Sequence, residues 1–168
     1  MILAFTGQPL SGKTTVAEEL AKRKGYGFFS TGDYARFLGI QVVEPSIRRI
    51  GLSLKLNDAI NDMVEYKCRQ HSNIVLDGYP RSVEQVLLLQ SLPSRLYVFF
   101  LFVNPVIAKS RMDDRGREDD DWAIINDRSE AAVRMCENLR RVVDLQPFFF
   151  EGTVEQAVTE VEQWLDEQ

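Results

Sequence analysis

The chain has 168 residues, 45% of apolar types and 27% charged, enough for one well-buried core and short for two, so a single domain over 1–168 is expected. Its 25 acidic and 20 basic residues give a net charge of −5, which works against non-specific attraction to nucleic acid or an anionic membrane. No apolar run approaches the roughly 20 residues that span a bilayer, Met1 leads into Ile2-Leu3-Ala4-Phe5 without a basic leader, and two distant cysteines, Cys68 and Cys136, exclude a disulfide framework or a four-cysteine zinc site; a cytoplasmic protein with reduced, packed thiols is expected.

In chain order, Ile2 to Thr6 reads as a short apolar strand. Gly7-Gln8-Pro9-Leu10-Ser11-Gly12 then forms a glycine loop, and a helical pattern runs from Lys13 through Lys24. Gly27 to Ser30, Asn73 to Asp77, Tyr97 to Val103 and Phe148 to Glu151 read as further strands, each followed by a helix-like stretch. Five short strands alternating with helices predict an α/β fold with a five-stranded parallel sheet. The strands lack polar alternation, as required when helices cover both faces, and ligands are expected at their carboxyl ends. Two stretches interrupt the alternation: Gly39 to Leu56, with Pro45 and a Ser46-Ile47-Arg48-Arg49 turn, and Asp113 to Asp121, almost wholly charged. Thr153 with Gln156 three positions on predicts a capping box opening a last helix to about Leu165.

Gly7-x-x-x-x-Gly12-Lys13-Thr14 is the Walker A pattern in the context it requires, between a strand and a helix. Its glycines let backbone N–H groups turn inward around phosphates, and the helix N-terminus adds partial positive charge. Lys13 supplies an ammonium for the β- and γ-phosphates of ATP, and Thr14 a hydroxyl for Mg²⁺. This loop alone suits a GTPase, a motor ATPase or a small-molecule kinase equally. The strand ending in Asp77 places a carboxylate beside it, a candidate to hold Mg²⁺ directly or through water, although Asp-Gly is also an ordinary turn pair.

Four segments then narrow the reading: Ser30-Thr31-Gly32-Asp33 with Arg36, Asp77-Gly78-Tyr79-Pro80-Arg81 with Gln85, Arg117-Glu118-Asp119-Asp120 with Arg128, and Phe150-Glu151-Gly152-Thr153-Val154. Together and in this order they resemble the signatures of the adenylate kinase family of nucleoside monophosphate kinases, over nearly the whole chain. The resemblance implies a P-loop fold in which residues of about 31–58 form an acceptor-binding insertion and about 113–121 a short lid. It implies that Gly7, Pro9, Leu10, Ser11, Gly12, Lys13, Thr14 and Thr15 hold the ATP phosphates, while the backbone of Gly152, Thr153 and Val154 lies against the ATP adenine. Arg111, Arg115, Arg117 and Arg128 would converge on the transferring phosphoryl group. On the acceptor side, Arg36 and Arg81 would grip the phosphate, Gln85 would meet the adenine edge with Thr31 near it, and Gly32, Gly78 and Tyr79 would line the site. A cis bond before Pro80 and a monomer are implied as well. The acceptor so implied is AMP, with another nucleoside monophosphate such as CMP, UMP or dAMP as the alternative, and a non-catalytic nucleotide-binding module as a further one.

The residue types fit that chemistry. A phosphate monoester has a second pKa of about 6, so the acceptor is already a dianionic nucleophile at neutral pH and no general base is needed. The obstacle is bringing it against a triphosphate, and arginine forks offset that repulsion in fixed geometry. The chain has 14 Arg to 6 Lys, with Lys109, Arg111, Arg115, Arg117 and Arg128 inside one stretch of 20 positions. Taken alone, that stretch reads equally as a solvated face laced with ion pairs, because Asp113, Asp114, Glu118, Asp119, Asp120 and Asp121 are interleaved.

The chain departs from the family at Leu10, where glycine is usual, at Thr14, where glycine usually precedes the threonine matched by Thr15, and throughout Gly39 to Leu56. An alcohol acceptor, the rival among enzyme readings, would want an ionisable base such as Asp33. His71 reads as an exposed helix-end residue, Phe148-Phe149-Phe150 as sheet core with a dimer face as the alternative, and Trp122 and Trp164 as packing.

Overall fold

The computed structural model describes residues 1–38, 52–115 and 121–168. Among these residues twelve elements follow in order: β1 (Ile2–Gly7), α1 (Lys13–Lys24), β2 (Gly27–Ser30), α2 (Thr31–Phe37), α3 (Leu52–Gln70), β3 (Ile74–Asp77), α4 (Val83–Ser91), β4 (Leu96–Phe102), α5 (Pro105–Arg115), α6 (Trp122–Leu139), β5 (Leu145–Phe149) and α7 (Val154–Asp166). The five strands form one sheet in the order β2-β3-β1-β4-β5, every pair parallel.

Alternation along the strands splits the core into two layers. Ile2 and Ala4, with Ile74, Leu76, Val98 and Phe100, face Val64 and Cys68 of α3, Val86 and Leu89 of α4, and Ala132, Cys136 and Leu139 of α6. Leu3 and Phe5, with Val75, Phe99 and Leu101, face Val16, Ala17 and Leu20 of α1 and Val158 and Val161 of α7. Both sides of the central strands β1, β3 and β4 are apolar because both sides are covered. Burial of this kind stabilises by roughly 25 cal/mol per Å² of apolar surface, and the layers enclose the sheet centre, where β1 emerges between β3 and β4. Cys68 and Cys136 are buried free thiols, as expected.

The capping box of Thr153 and Gln156 is present, with Gln156 Oε1 accepting the Thr153 N–H at 2.8 Å, and α7 runs one residue past Leu165. The Tyr79–Pro80 bond is cis, as the resemblance implied. His71 is exposed just beyond α3, and its ring covers Gly27 so closely that a Cβ there would lie 2.5 Å from it. Trp164 packs edge-on against Tyr97 and Phe99, whereas Trp122 is half-buried at the start of α6.

Three expectations are corrected. The last strand lies at Leu145–Phe149, not Phe148 to Glu151, and tolerates Pro147 because it is an edge strand paired only to β4. The three phenylalanines are therefore not uniformly core: Phe150 is buried, Phe148 half-buried, and Phe149 is 68% exposed and stacked on Phe102. The irregular stretch expected over Gly39 to Leu56 is helical from Leu52, where α3 begins; residues 39–51 lie outside the described residues. The expected lid is flanked by the end of α5 and by Asp121, whose carboxylate caps α6 by accepting from the Ala123 N–H at 2.7 Å. Residues 116–120, Arg117 among them, lie outside the described residues.

Candidate active site

The phosphate loop leaves the carboxyl end of the central strand. Gly7, at φ +143°, sits so tightly on β4 that a Cβ would lie 2.3 Å from the Leu101 carbonyl oxygen. Gly12, at φ +83°, turns the chain into α1, and a Cβ there would meet the Phe150 ring at 3.0 Å. Leu10 also takes a left-handed conformation, φ 61°, at the position where the family has glycine. The Lys13 ammonium donates to the Gln8 carbonyl at 3.1 Å. Ser11 is fully buried, its hydroxyl without a hydrogen-bond partner.

At the ends of β2 and β3 the carboxylate of Asp77 gathers the loop and its neighbours. Its Oδ2 accepts from the Thr14 hydroxyl at 2.8 Å and from the Ser30 hydroxyl at 3.0 Å, while Oδ1 is buried without a partner. The carboxylate expected at the loop is thus beside it. A hydroxyl and a carboxylate oxygen suit Mg²⁺, which takes one or two protein oxygens and completes its shell with water and phosphate. The orphaned Oδ1 gives that ion something to satisfy. Among the described residues there is no group of three or more His, Cys, Asp or Glu that could hold a metal ion.

Thr31 is buried, and its hydroxyl lies 3.1 Å from both the Asp77 and the Gly78 carbonyl oxygens, so it ties the start of α2 to the end of β3. That contact tethers the two elements at the side where the resemblance implies the acceptor base. Gly32 packs near the Arg36 guanidinium, which pairs with the Asp33 carboxylate on the exposed face of α2. Tyr79 is 1% exposed, and its hydroxyl donates to Asn61 Oδ1 at 3.0 Å. Gln85 is buried too: its Oε1 accepts the Arg81 N–H at 2.6 Å, and its Nε2 donates to the same Asn61 oxygen at 3.2 Å. Arg81 donates through Nε to the Gly78 carbonyl at 2.7 Å. Although the side chain is exposed overall, its guanidinium is crowded; desolvation and the nearby Arg128 lower its pKa, against the pull of Asp77. An arginine begins so far above neutrality that it stays charged. Arg81 is thus tied to Gly78, the residue after Asp77, and Arg128 lies near enough to oppose its charge.

A cavity of about 420 Å³ opens on the other side of that loop, lined by Leu10, Gly12, Thr15, Arg111, Phe150, Gly152, Thr153 and Val154. Here the expected adenine-facing backbone is joined to the loop. Arg111 was expected among the residues converging on the transferring group. Its guanidinium instead lies over the Phe150 ring at 5.1 Å and donates to the Leu10 carbonyl at 2.9 Å, which sets it at the cavity. Arg115 closes α5. Sequence reasoning missed Gln8, Asn61 and Ser129, and gave no role to Ser30 and Phe150, which it met inside the signatures. Only Ser30 carried a local signal, as the helix-capping residue just before α2.

A family profile described as an AAA domain matches residues 6–126. The chain is 33% identical to an adenylate kinase of Campylobacter curvus over 83% of its own length and 82% of that protein's. It is 30% identical to an adenylate kinase of Campylobacter hominis, over 95% and 93%. Among solved structures, a shikimate kinase from Bacteroides thetaiotaomicron superposes with a TM-score of 0.72 at 14% identity, covering 99% and 98% of the two chains. A gluconokinase from Sinorhizobium meliloti gives 0.66 at 16% identity, covering 98% and 91%. These structures share the P-loop kinase fold, and the sequence relatives narrow it further: the chain is a phosphotransferase and belongs to the adenylate kinase family.

Proposed function

We propose that this chain transfers the γ-phosphate of ATP to AMP, giving two ADP. The observation that carries the reading is Asp77 held on Thr14 at the phosphate loop, with Arg81 tied through Nε to the next residue, Gly78, at 2.7 Å and Arg128 near enough to act on its charge. Two guanidiniums held near one another repel until an anion comes between them, and the dianionic phosphate of a nucleoside monophosphate fits that need. Such a phosphate brings its own nucleophilic oxygen, so the residues have to position and neutralise rather than abstract a proton.

Lys13, now on the Gln8 carbonyl, would turn to the ATP phosphates, and the N–H groups of the loop would hold them. Arg111, Phe150 and residues 152–154 would receive the adenine of ATP in their cavity. Thr14 and Asp77 would hold Mg²⁺, which supplies positive charge between phosphate oxygens. Arg115 and Arg117 remain proposed phosphate ligands at the lid.

Adenine in the acceptor is supported by Gln85. With Oε1 on the Arg81 N–H and Nε2 on Asn61, its carboxamide keeps one acceptor lone pair and one N–H, the pair that a glutamine offers to adenine. The relatives named adenylate kinase support the same base. A gluconate-like alcohol acceptor is disfavoured because Asp33, its prospective base, is paired with Arg36. No described helix is long and apolar enough to cross a membrane, and we place the enzyme in the cytoplasm as a monomer.

The test is turnover with Mg-ATP and, separately, AMP, dAMP, CMP, UMP, GMP, shikimate and gluconate, following ADP, with Lys13→Ala as control for contaminating kinase. Fastest turnover with AMP, lost in the control, is expected. Preference for another monophosphate would overturn the base, and turnover of an alcohol alone would overturn the acceptor class.

A further inference from the structure

One residue of the phosphate loop makes contacts that cradling phosphates does not require. Gln8 donates its backbone N–H to the Leu101 carbonyl at 3.0 Å and accepts the Lys13 ammonium on its own carbonyl. Its side-chain Oε1 accepts the Val103 N–H at 2.8 Å, and its Nε2 donates to the Ser129 hydroxyl at 2.6 Å, 121 positions away in sequence. The Val103 N–H is only a donor, so it fixes the carboxamide with its NH₂ towards α6. Gln8 is thereby strapped to the end of β4 and extends one fixed hydrogen bond to the helix that carries Arg128.

We propose that Gln8 is a positioning residue for phosphoryl transfer: through Ser129 it seats α6 against the phosphate loop and so keeps Arg128 beside Arg81. The proposal rests on the phosphotransfer reading above. Ser129 follows Arg128 in the chain, within one turn of a rigid helix, so a shift of one moves the other. Arg81 and Arg128 carry like charges, and Arg128 acts on the Arg81 guanidinium, so a helix free to shift would let the two move apart. The Gln8–Ser129 bond opposes that shift from the loop itself. A displacement of the order of 1 Å is enough to cost rate in a reaction that depends on placed charges. The same residue holds Lys13 at rest, so the loop lysine and the helix arginine are referred to one anchor.

The experiment is a double-mutant cycle in the full chain: Gln8→Ala, Ser129→Ala and both together, with Ser129→Thr retaining the hydroxyl. With Mg-ATP and AMP, each single alanine variant is expected to lower kcat by roughly three- to tenfold while the KM for ATP changes less than about twofold. The double variant should fall no further than the worse single one, and Ser129→Thr should recover most of the rate. Hydrogen exchange of the α6 amides over residues 122–131 should quicken in Gln8→Ala, with α1 unchanged. Additive losses of kcat would overturn the proposal, as would unaltered α6 exchange in Gln8→Ala. If the unmodified chain turns over no nucleoside monophosphate, the acceptor reading fails, and α6 exchange still decides whether Gln8 seats the helix.

Discussion

The Thr14 hydroxyl donates to Oδ2 of Asp77 at 2.8 Å while Oδ1 of the same carboxylate is buried and unpartnered. Leaving a buried acceptor unsatisfied costs about 1–3 kcal/mol, which a fold tolerates where function supplies the partner. Asp77→Asn keeps an oxygen for Thr14 and Ser30 but removes the charge. The variant should fold with stability within about 1 kcal/mol of the parent. The Mg²⁺ concentration giving half-maximal rate should rise at least about tenfold. Initial rates against free Mg²⁺ measure this, and an unchanged dependence would remove Asp77 from the metal site.

Gly78 has φ +76°, and a Cβ there would lie 2.7 Å from Thr31 Oγ1 and 3.0 Å from Arg81 Nη2. Gly78→Ala therefore strains the backbone and pushes on both the tether of α2 and Arg81, the proposed acceptor ligand. We expect a loss of about 1–3 kcal/mol in urea unfolding, and a KM for AMP that rises more than the KM for ATP. Equal rises would show that Gly78 supports the fold without shaping the acceptor side.

The parts of this site that sequence revealed are those written in local spacing. Lys13 and Thr14 follow Gly12 by a rule of loop geometry, and Asp77 ends an apolar strand whose neighbours determine where it points. Residues joined only by tertiary packing left no such trace: Asn61 meets Gln85 from a helix 24 positions earlier, and Gln8 meets Ser129 across 121. The direction of Arg111 was hidden for the same reason, because it depends on where the Phe150 ring lies. Pro147 inside the strand Leu145–Phe149 argues against a strand everywhere except at an edge, and sequence does not say which strand is the edge.

Arg111 stacks on Phe150 and holds the Leu10 carbonyl at the cavity opposite the acceptor side. Arg111→Ala removes both the stacking surface and the loop contact. The KM for ATP should rise by about tenfold, with the KM for AMP within about twofold of the parent. A fall in kcat at constant KM for ATP would return Arg111 to the transferring phosphoryl group.

Leu10 pays for its left-handed backbone with about 1–2 kcal/mol that glycine would not incur, against which glycine gains flexibility in the unfolded chain. Leu10→Gly should therefore raise stability by a net of about 0.5 kcal/mol, read from the urea midpoint. Because the Leu10 side chain also lines the cavity, the KM for ATP should rise slightly in the same variant. A less stable variant would mean that packing of the leucine outweighs its strain.

Alkaline pH should weaken the fold through groups that it keeps neutral. Burial pushes the Cys68 thiol up to about 11, with the positive N-terminus opposing and Glu65 adding to the rise. Burial likewise raises Tyr79, whose hydroxyl is pressed further by Cys68, and it raises Cys136. In an unfolded chain thiols ionise near 8.5 and tyrosine near 10. The unfolded state thus loses protons first, and the stability held in full below about pH 8 is lost as pH climbs through 8.5 towards 11. Urea midpoints should stay level from about pH 7 to about pH 8 and fall steadily towards about pH 10. Cys68→Ala would lower the midpoint at every pH through the cavity it leaves, yet flatten the alkaline slope. A slope identical to that of the parent would show that the buried thiol is not its cause.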